Sequence, residues 1–134
     1  MKKSIFLIIF CLTYTLIQAQ TAKEYISSGQ AKDIQKDYKG AISDYTKAIE
    51  LNSSFGDAAY VGRGMVKCEL SDFRGAISDC NKAIEIDPSF ALAYFIRGNA
   101  NYELSDYKDA LFYCNKTIEL DPMYADAYKI RGDI

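Results

Sequence analysis

The residues in this sequence that could do covalent chemistry are its cysteines. There are four of them, Cys11, Cys68, Cys80 and Cys114, and the 134 residues include no histidine. A cysteine nucleophile is commonly activated by histidine, which is also the commonest metal ligand in proteins. There is also no Gly-rich phosphate loop, no CxxC pair and no acidic loop of the calcium-binding type. We therefore expect no enzymatic activity, no cofactor and no metal site.

Two pairs of aspartates have the spacing of an acid–base pair, Asp33 with Asp37 and Asp121 with Asp126. Paired carboxylates can act as general acid and general base. Here they fall where helices are predicted to end and turns to begin, and aspartate often caps a helix at such positions. We interpret all four as capping residues.

The elements that position these side chains are repeated along the chain. One segment occurs three times, at 38–42, 73–77 and 107–111. A second occurs three times, at 59–64, 93–98 and 127–132. The step is 34 residues, and 35 between the first two copies. A fixed period of this length indicates a stacked array in which each unit needs its neighbours to bury its apolar face.

Each repeat is predicted to be a hairpin of two helices. In residues 91–124, apolar residues recur at steps of three and four in two stretches, which are separated by 104–106 and ended by Asp121 and Pro122. A glycine in the middle of each first helix costs about 1 kcal/mol relative to alanine. Close approach of the second helix would offset this cost, and we expect the glycines to face its small alanines. The glycines are Gly29, Gly64, Gly98 and Gly132, and the alanines are Ala41, Ala76 and Ala110.

Cys80 and Cys114 occupy equivalent places in successive repeats. Packed helices lie about 8–10 Å apart, which exceeds the Cα separation of about 4.4–6.8 Å in a disulfide. We therefore interpret these cysteines, together with Cys68, as small buried apolar residues.

These columns resemble the tetratricopeptide repeat family. The family's aromatic residue is matched by Tyr25, Tyr60, Tyr94 and Tyr128, and its proline by Pro88 and Pro122. In the first copy, Ser53 stands in place of the proline. The resemblance implies an all-α solenoid of helix-turn-helix units, with three full repeats and the start of a fourth. The boundaries are a signal peptide at 1–20, repeats at 22–56, 57–90 and 91–124, and a partial repeat or capping helix at 125–134.

The resemblance also implies a concave groove, lined by the first helices, that receives a peptide or a partner's helix. The candidate groove residues are Val61, Met65, Cys68, Glu69, Phe95, Asn99, Tyr102 and Glu103. Leu92 and Phe95 either face this groove or pack between neighbouring repeats. An apolar groove with an acidic rim suits an apolar peptide with a basic flank.

One branch of the family grips the C-terminal carboxylate of heat-shock chaperones with basic and amide side chains. The matching positions here hold Ile26, Gln30, Gly62, Leu92 and Ile96. These residues cannot form a carboxylate clamp, so we expect no binding of chaperone tails.

A column of arginines, Arg63, Arg97 and Arg131, directly precedes three of the glycines. The arginines could recognise acidic ligands together. We favour the alternative, in which each arginine pairs with an acid of a neighbouring helix, such as Asp44 or Asp79.

The N-terminus has the pattern of a secretory signal peptide. Lys2 and Lys3 precede an apolar run, Ile5–Ile17, and small and polar residues follow. Cleavage near Ala19 or Gln20 is favoured over retention as an anchor, because about 20 apolar residues are needed to span a bilayer. The remaining 14 basic and 18 acidic residues give a net charge of −4, which argues against nucleic acid as a partner.

The sequence thus predicts an exported adaptor or scaffold that binds a protein or peptide in its groove, with no membrane span after cleavage. The alternative is the front part of a longer repeat protein in a periplasmic or cell-surface assembly, which self-associates through an uncapped end. In that alternative, residues 125–134 are not a complete cap for the third repeat.

Overall fold

The computed structural model describes residues 1–51 and 53–134, which contain seven α-helices and one turn of 3-10 helix, Ser53–Phe55. Helices α1 and α2, α3 and α4, and α5 and α6 form three hairpins that stack in chain order, and α7 packs on α6 and α5. The described residues contain no strand, so the architecture is the all-α solenoid expected. The helices are α1 Lys2–Ile34, α2 Tyr38–Leu51, α3 Gly56–Glu69, α4 Phe73–Ile86, α5 Ala91–Glu103, α6 Tyr107–Leu120 and α7 Ala125–Asp133.

The predicted turn at 52–56 between the first two repeats begins at Asn52, which lies outside the described residues. Pro88 and Pro122 follow the ends of α4 and α6, as expected for residues that cannot continue a helix.

The turn inside each hairpin is built in the same way three times. In the second repeat, Ser71 has a φ of 60°, and the Asp72 N–H donates to the Lys67 carbonyl oxygen at 2.8 Å. This pattern closes the helix C-terminus and satisfies its last carbonyls. The Asp72 carboxylate then accepts from the Gly75 N–H at 3.0 Å and caps α4. The equivalent residues are Lys36 and Asp37 in the first repeat and Ser105 and Asp106 in the third.

The capping interpretation is therefore correct for Asp37 and wrong for two of the other three aspartates. Asp121 accepts from the Met123 N–H in the turn after α6. Asp33, in the last turn of α1, and Asp126, in the first turn of α7, instead line depressions on the face formed by the first helices.

The glycines of the first helices allow a close approach, but their nearest neighbours differ from those expected. A Cβ added to Gly98 would lie 3.1 Å from Cys114 Sγ and 3.3 Å from the Cys114 backbone nitrogen. Gly64 faces Cys80 Sγ in the same way at 3.4 Å. Gly64 and Gly98 thus face the buried, free cysteines Cys80 and Cys114, and of the alanine column only the Ala76 carbonyl oxygen lies near a glycine. In the first repeat, Tyr45 takes the place of the cysteine, and a Cβ added to Gly29 would lie 3.1 Å from its ring.

A buried carboxylate ties the two helices of the second repeat together. Asp79 receives two hydrogen bonds from Arg63, at 2.7 and 2.9 Å, and an ion pair from Lys67 at 2.8 Å. In the first repeat, Asp44 is held by Lys32 and Ser28, each at 2.6 Å. The pairing predicted for the arginine column is therefore correct for Arg63.

The pairing is wrong for Arg97 and Arg131. Tyr113 stands where Asp79 stands in the preceding repeat, and the Arg97 guanidinium carbon lies 3.9 Å from the centre of its ring. Among the described residues, the buried Arg97 Nε and Asn101 Nδ2 have no hydrogen-bond partner. Arg131 donates to Asn115 Oδ1 at 3.3 Å rather than to an acid.

The apolar N-terminal segment and the first helix of the first repeat form one continuous helix, α1. Its apolar side chains are exposed on all sides, for example Phe6 at 73% and Leu16 at 69%, whereas Ala22 is fully buried. Of the helices in residues 1–51 and 53–134, α1 is the one long and apolar enough to cross a membrane. A signal sequence meets the same criterion.

Candidate functional site

The first helices of the array form one face with three connected depressions. The first lies between α1 and α3, measures about 380 Å³ and extends to Leu92. The second, of about 280 Å³, shares Met65 and Leu92 with the first. The third, of about 250 Å³, shares Phe95, Asn99 and Asp126 with the second and reaches α7. We call this continuous surface the groove.

All eight candidate residues line the groove. Val61 and Met65 line the first depression, and Met65, Cys68 and Glu69 line the second. Phe95, Asn99, Tyr102 and Glu103 line the third. Val61 is only 3% exposed and forms part of the floor, whereas Met65 is 41% exposed. A ligand would therefore meet the Met65 side chain first.

The two alternatives for Leu92 and Phe95 prove compatible with each other. Both side chains are half-buried and pack against the core cluster between the second and third repeats. Both also line the groove. Phe95 in addition stacks on Tyr124, with the ring centres 4.7 Å apart, so its ring is held in place.

Tyr45 lines the first depression but was missing from the predicted set, because it belongs to a second helix. Its ring reaches past Gly62, where an added Cβ would lie 2.5 Å from the Tyr45 ring carbon. The other copies reverse these sizes, with Cys80 and Cys114 in the place of Tyr45 and Ile96 and Ile130 in the place of Gly62. That reversal is the sequence signal that could have identified Tyr45.

Acidic side chains dominate the charge of the groove. Asp33, Glu69, Glu103, Asp126 and Asp133 line its depressions, and Lys129 is the basic residue beside them. Partial burial, followed by repulsion from Glu69, raises the pKa of Asp33. The groove therefore carries a negative potential that favours cations.

The cysteine thiols near the groove are not activated. Burial, with smaller contributions from Glu69, Glu103 and Asp72, raises the pKa of Cys68 to about 11. Burial likewise raises the pKa of Cys80 to about 12. Because the thiolate is the nucleophile, both side chains remain unreactive thiols near neutral pH.

The positions of the carboxylate clamp hold no basic side chain. Gln30, Gly62 and Leu92 line the first depression, and Ile96 lines the second. Ile26 packs against the core cluster of the first repeat. A ligand carboxylate placed at these positions would meet one amide, that of Gln30, together with apolar side chains and nearby acids.

Comparison with solved structures identifies similar folds. The Arabidopsis OM64 TPR domain is 30% identical, with a TM-score of 0.83, over 87% of this chain and 95% of that chain. The first TPR domain of Spaghetti (RPAP3), bound to the HSP90 peptide SRMEEVD, is 27% identical, with a TM-score of 0.83, over 86% and 90%. The TPR2B domain of yeast Sti1 in its pHsp70 complex is 28% identical, with a TM-score of 0.77, over 84% and 92%.

The comparison with family profiles agrees with the structural one. Tetratricopeptide repeat profiles match residues 22–55, 58–90 and 91–124. No curated protein sequence matches the chain. Together with the stacked hairpins and the groove, these matches show that the chain belongs to the tetratricopeptide repeat family.

Proposed function

We propose that this chain is an exported, non-enzymatic interaction module, an adaptor or scaffold, whose groove binds a peptide segment or helix of a partner protein. The observation that carries the proposal is the groove itself, a continuous surface with an apolar floor and an acidic rim. Val61, Met65 and Phe95 provide apolar contacts, and Glu69 and Glu103 provide negative charge. This combination fits a segment in which apolar residues are flanked by basic ones.

The structural relatives support peptide binding, but the charge of the peptide proposed for this chain differs from that of the peptide bound by the Spaghetti domain. The Spaghetti domain was solved with the peptide SRMEEVD, which contains three acidic residues. In the present chain, Gln30, Gly62 and Leu92 occupy clamp positions next to Asp33 and Glu69. An acidic tail would be repelled there and left without a basic partner, so it should not bind.

Export is supported by the N-terminal pattern. Lys2 and Lys3 precede exposed apolar residues, and Ala22, the first fully buried residue, lies just beyond the cleavage sites favoured at Ala19 and Gln20. Cleavage would leave the buried part of α1 intact. Expression with its native N-terminus, followed by mass spectrometry of the exported chain, tests this part of the proposal. A chain that begins near residue 20 supports export, and an intact chain in the membrane contradicts cleavage.

The binding proposal is tested by panning phage-displayed random dodecapeptides against the full chain in a mild non-ionic detergent that covers the apolar N-terminal helix. We expect selected peptides to combine apolar and basic residues. Met65→Lys, which places a cation in the groove, should weaken their binding by more than about tenfold. Met123→Lys is the matched control, because Met123 is 87% exposed and lies outside the three depressions.

The charge preference needs a second titration, with the peptide SRMEEVD. We expect no binding at micromolar concentrations. Micromolar binding would contradict the proposed preference, and equal weakening by Met65→Lys and Met123→Lys would show that the selected peptides do not use the groove.

Self-association is a second candidate function and concerns the third repeat and α7. Phe112 is 61% exposed and Tyr128 41%. Phe112 replaces the serines, Ser43 and Ser78, that occupy this position in the other repeats. Sedimentation equilibrium in detergent would detect such an association, and Phe112→Ser, which restores the residue of the other repeats, should weaken it.

A further inference from the structure

We infer that the depression between the first two repeats receives an arginine or lysine side chain of the bound peptide. We call this depression the Tyr45 pocket, and its relevant residues are Asp33, Ile34, Tyr45, Val61, Met65 and Leu92. The inference rests on the proposed function, because it names the side chain that one part of the groove recognises.

The walls of the Tyr45 pocket fit the stem of a long side chain. Val61 forms a buried floor, and Met65 and Leu92 continue the apolar surface towards the second depression. Ile34, at 84% exposure, stands at the mouth, where a ligand stem could cover it. Arginine and lysine bury their methylene groups against such surfaces and keep the charged group at a polar site.

A polar group is already in place inside the pocket. Tyr45 is only 2% exposed, yet none of the described residues forms a hydrogen bond with its hydroxyl. Burial raises the pKa of Tyr45 to about 12, with a further contribution from the negative charge of Asp33, so the hydroxyl stays neutral near pH 7. The hydroxyl oxygen keeps a small accessible surface, unlike the fully buried unpaired atoms of Asn81, Arg97 and Asn101, so a ligand N–H group could reach it and donate to it.

A negative charge lies beside this hydroxyl. Asp33 lines the pocket and forms no ion pair with any described residue, while the nearby Lys32 pairs with Asp44 at 2.6 Å. The proximity of Glu69 raises the pKa of Asp33, so the two carboxylates repel each other without a cation between them. An ammonium or guanidinium group would relieve this repulsion and donate hydrogen bonds to the Asp33 carboxylate and the Tyr45 hydroxyl.

The next junction lacks these features. Cys80 and Ile96 replace Tyr45 and Gly62 there, and Cys68 replaces Asp33. The second depression therefore has neither the phenol nor the carboxylate at equivalent positions. We expect a basic side chain to be recognised at the Tyr45 pocket and apolar side chains to be recognised farther along the groove.

The test uses a dodecapeptide selected by the panning experiment, and its uncharged analogue with citrulline in place of arginine or norleucine in place of lysine. Binding of both peptides is measured with the full chain and with Asp33→Asn. A charge-assisted hydrogen bond contributes enough that each single change should weaken binding about tenfold. The two changes together should weaken it no further than either one, because they remove the same contact.

Two further variants make the result specific. Tyr45→Phe removes the hydroxyl but keeps the ring, and it should weaken only the charged peptide. Glu85→Gln makes the same charge change on α4, outside the three depressions, and it should alter binding less than about twofold. The melting temperature of each variant is recorded, so that a loss of folding is recognised.

The outcomes separate this inference from the proposed function. Selected peptides without basic residues would contradict the role of the Tyr45 pocket and leave groove binding intact. The same holds if the losses of binding free energy from Asp33→Asn and from the uncharged analogue simply add. Failure to select any peptide whose binding depends on Met65 would overturn both.

Discussion

The junction between the first and second repeats is filled differently from the junction between the second and third. In the first, the Tyr45 ring occupies the space that Gly62 leaves open. In the second, the small Cys80 faces the larger Ile96, and both are buried in one cluster. The backbone pattern of the two junctions is the same. A large residue at position 45 opposite a glycine at position 62 lets a second-helix side chain reach the groove, whereas a small residue opposite a large one, as at Cys80 and Ile96, does not.

A second difference separates the second repeat from the third. Asp79 is 3% exposed and receives Arg63 and Lys67, whereas Tyr113 takes its place in the third repeat and leaves the Arg97 Nε without a partner among the described residues. Equivalent helices can thus be joined either by a buried ion cluster or by the stacking of a cation on an aromatic ring.

The largest expected effect comes from removing the buried carboxylate of the second repeat. Asp79→Ala leaves Arg63 and Lys67 with uncompensated charge, and breaking a buried ion pair in this way costs about 3–5 kcal/mol. Urea unfolding followed by circular dichroism measures the loss. Glu85→Gln is the control, because the Lys82–Glu85 pair is solvent-exposed and should contribute less than about 1 kcal/mol. Equal effects of the two changes would contradict the claim that a buried ion cluster joins the helices of the second repeat.

The next largest effect on stability is expected from a change that disrupts the packing of the first junction. Gly62→Ile should destabilise the fold by about 1–3 kcal/mol, because the new side chain occupies the space of the Tyr45 ring. The double variant Tyr45→Cys with Gly62→Ile copies the size pattern of the second junction and should recover most of the loss. The same urea unfolding measures this recovery, and losses that add without recovery would contradict the size exchange.

A smaller effect on stability is expected from alanine substitutions at two glycines of the same column. A Cβ at Gly98 would crowd the Cys114 backbone, whereas a Cβ at Gly132 meets nothing within 4 Å. We expect Gly98→Ala to lower the melting temperature and Gly132→Ala to leave it unchanged or raise it, since alanine favours a helix by up to about 1 kcal/mol over glycine. Thermal unfolding of both variants checks this, and the reverse order would show that close packing does not explain the glycine column.

The smallest effect is a dependence on pH. Burial alone would raise the pKa of Asp44, but the hydrogen bonds from Lys32 and Ser28, with the charges of Lys32 and Lys47, lower it overall. Asp44 therefore stabilises the fold above its ordinary pKa of 3.8, and this contribution is lost as the pH falls through the lowered value. Asp33 has a raised pKa, so its charged form disfavours the fold at neutral pH, and protonation removes that penalty as the pH falls.

At pH 7, Asp44→Asn should therefore be less stable than the parent chain and Asp33→Asn slightly more stable. Both differences should shrink in acid. Melting temperatures recorded from pH 3 to 7 measure them, and differences of the same sign would contradict the two assignments.

The sequence predicts the fold well because the copies of the repeat can be aligned with one another within this one chain. The glycine column and the Asp-Pro ends indicate the hairpins, and the first helices give all eight groove positions. Arg97 could not be placed from the column alone, since its partner depends on whether residue 113 is an acid or an aromatic. The position of Tyr45 in the groove was also not predicted, because its ring reaches the groove only where residue 62 has no side chain.

The most direct test of the central claim is a nuclear magnetic resonance titration of the isotope-labelled full chain, in detergent, with the selected dodecapeptide. We predict that amide shifts cluster at the groove, at Met65, Glu69, Phe95 and Asn99, and that SRMEEVD causes none there. Shifts confined to α2, α4 and α6, or equal shifts with SRMEEVD, would contradict the claim that the groove binds basic, apolar segments.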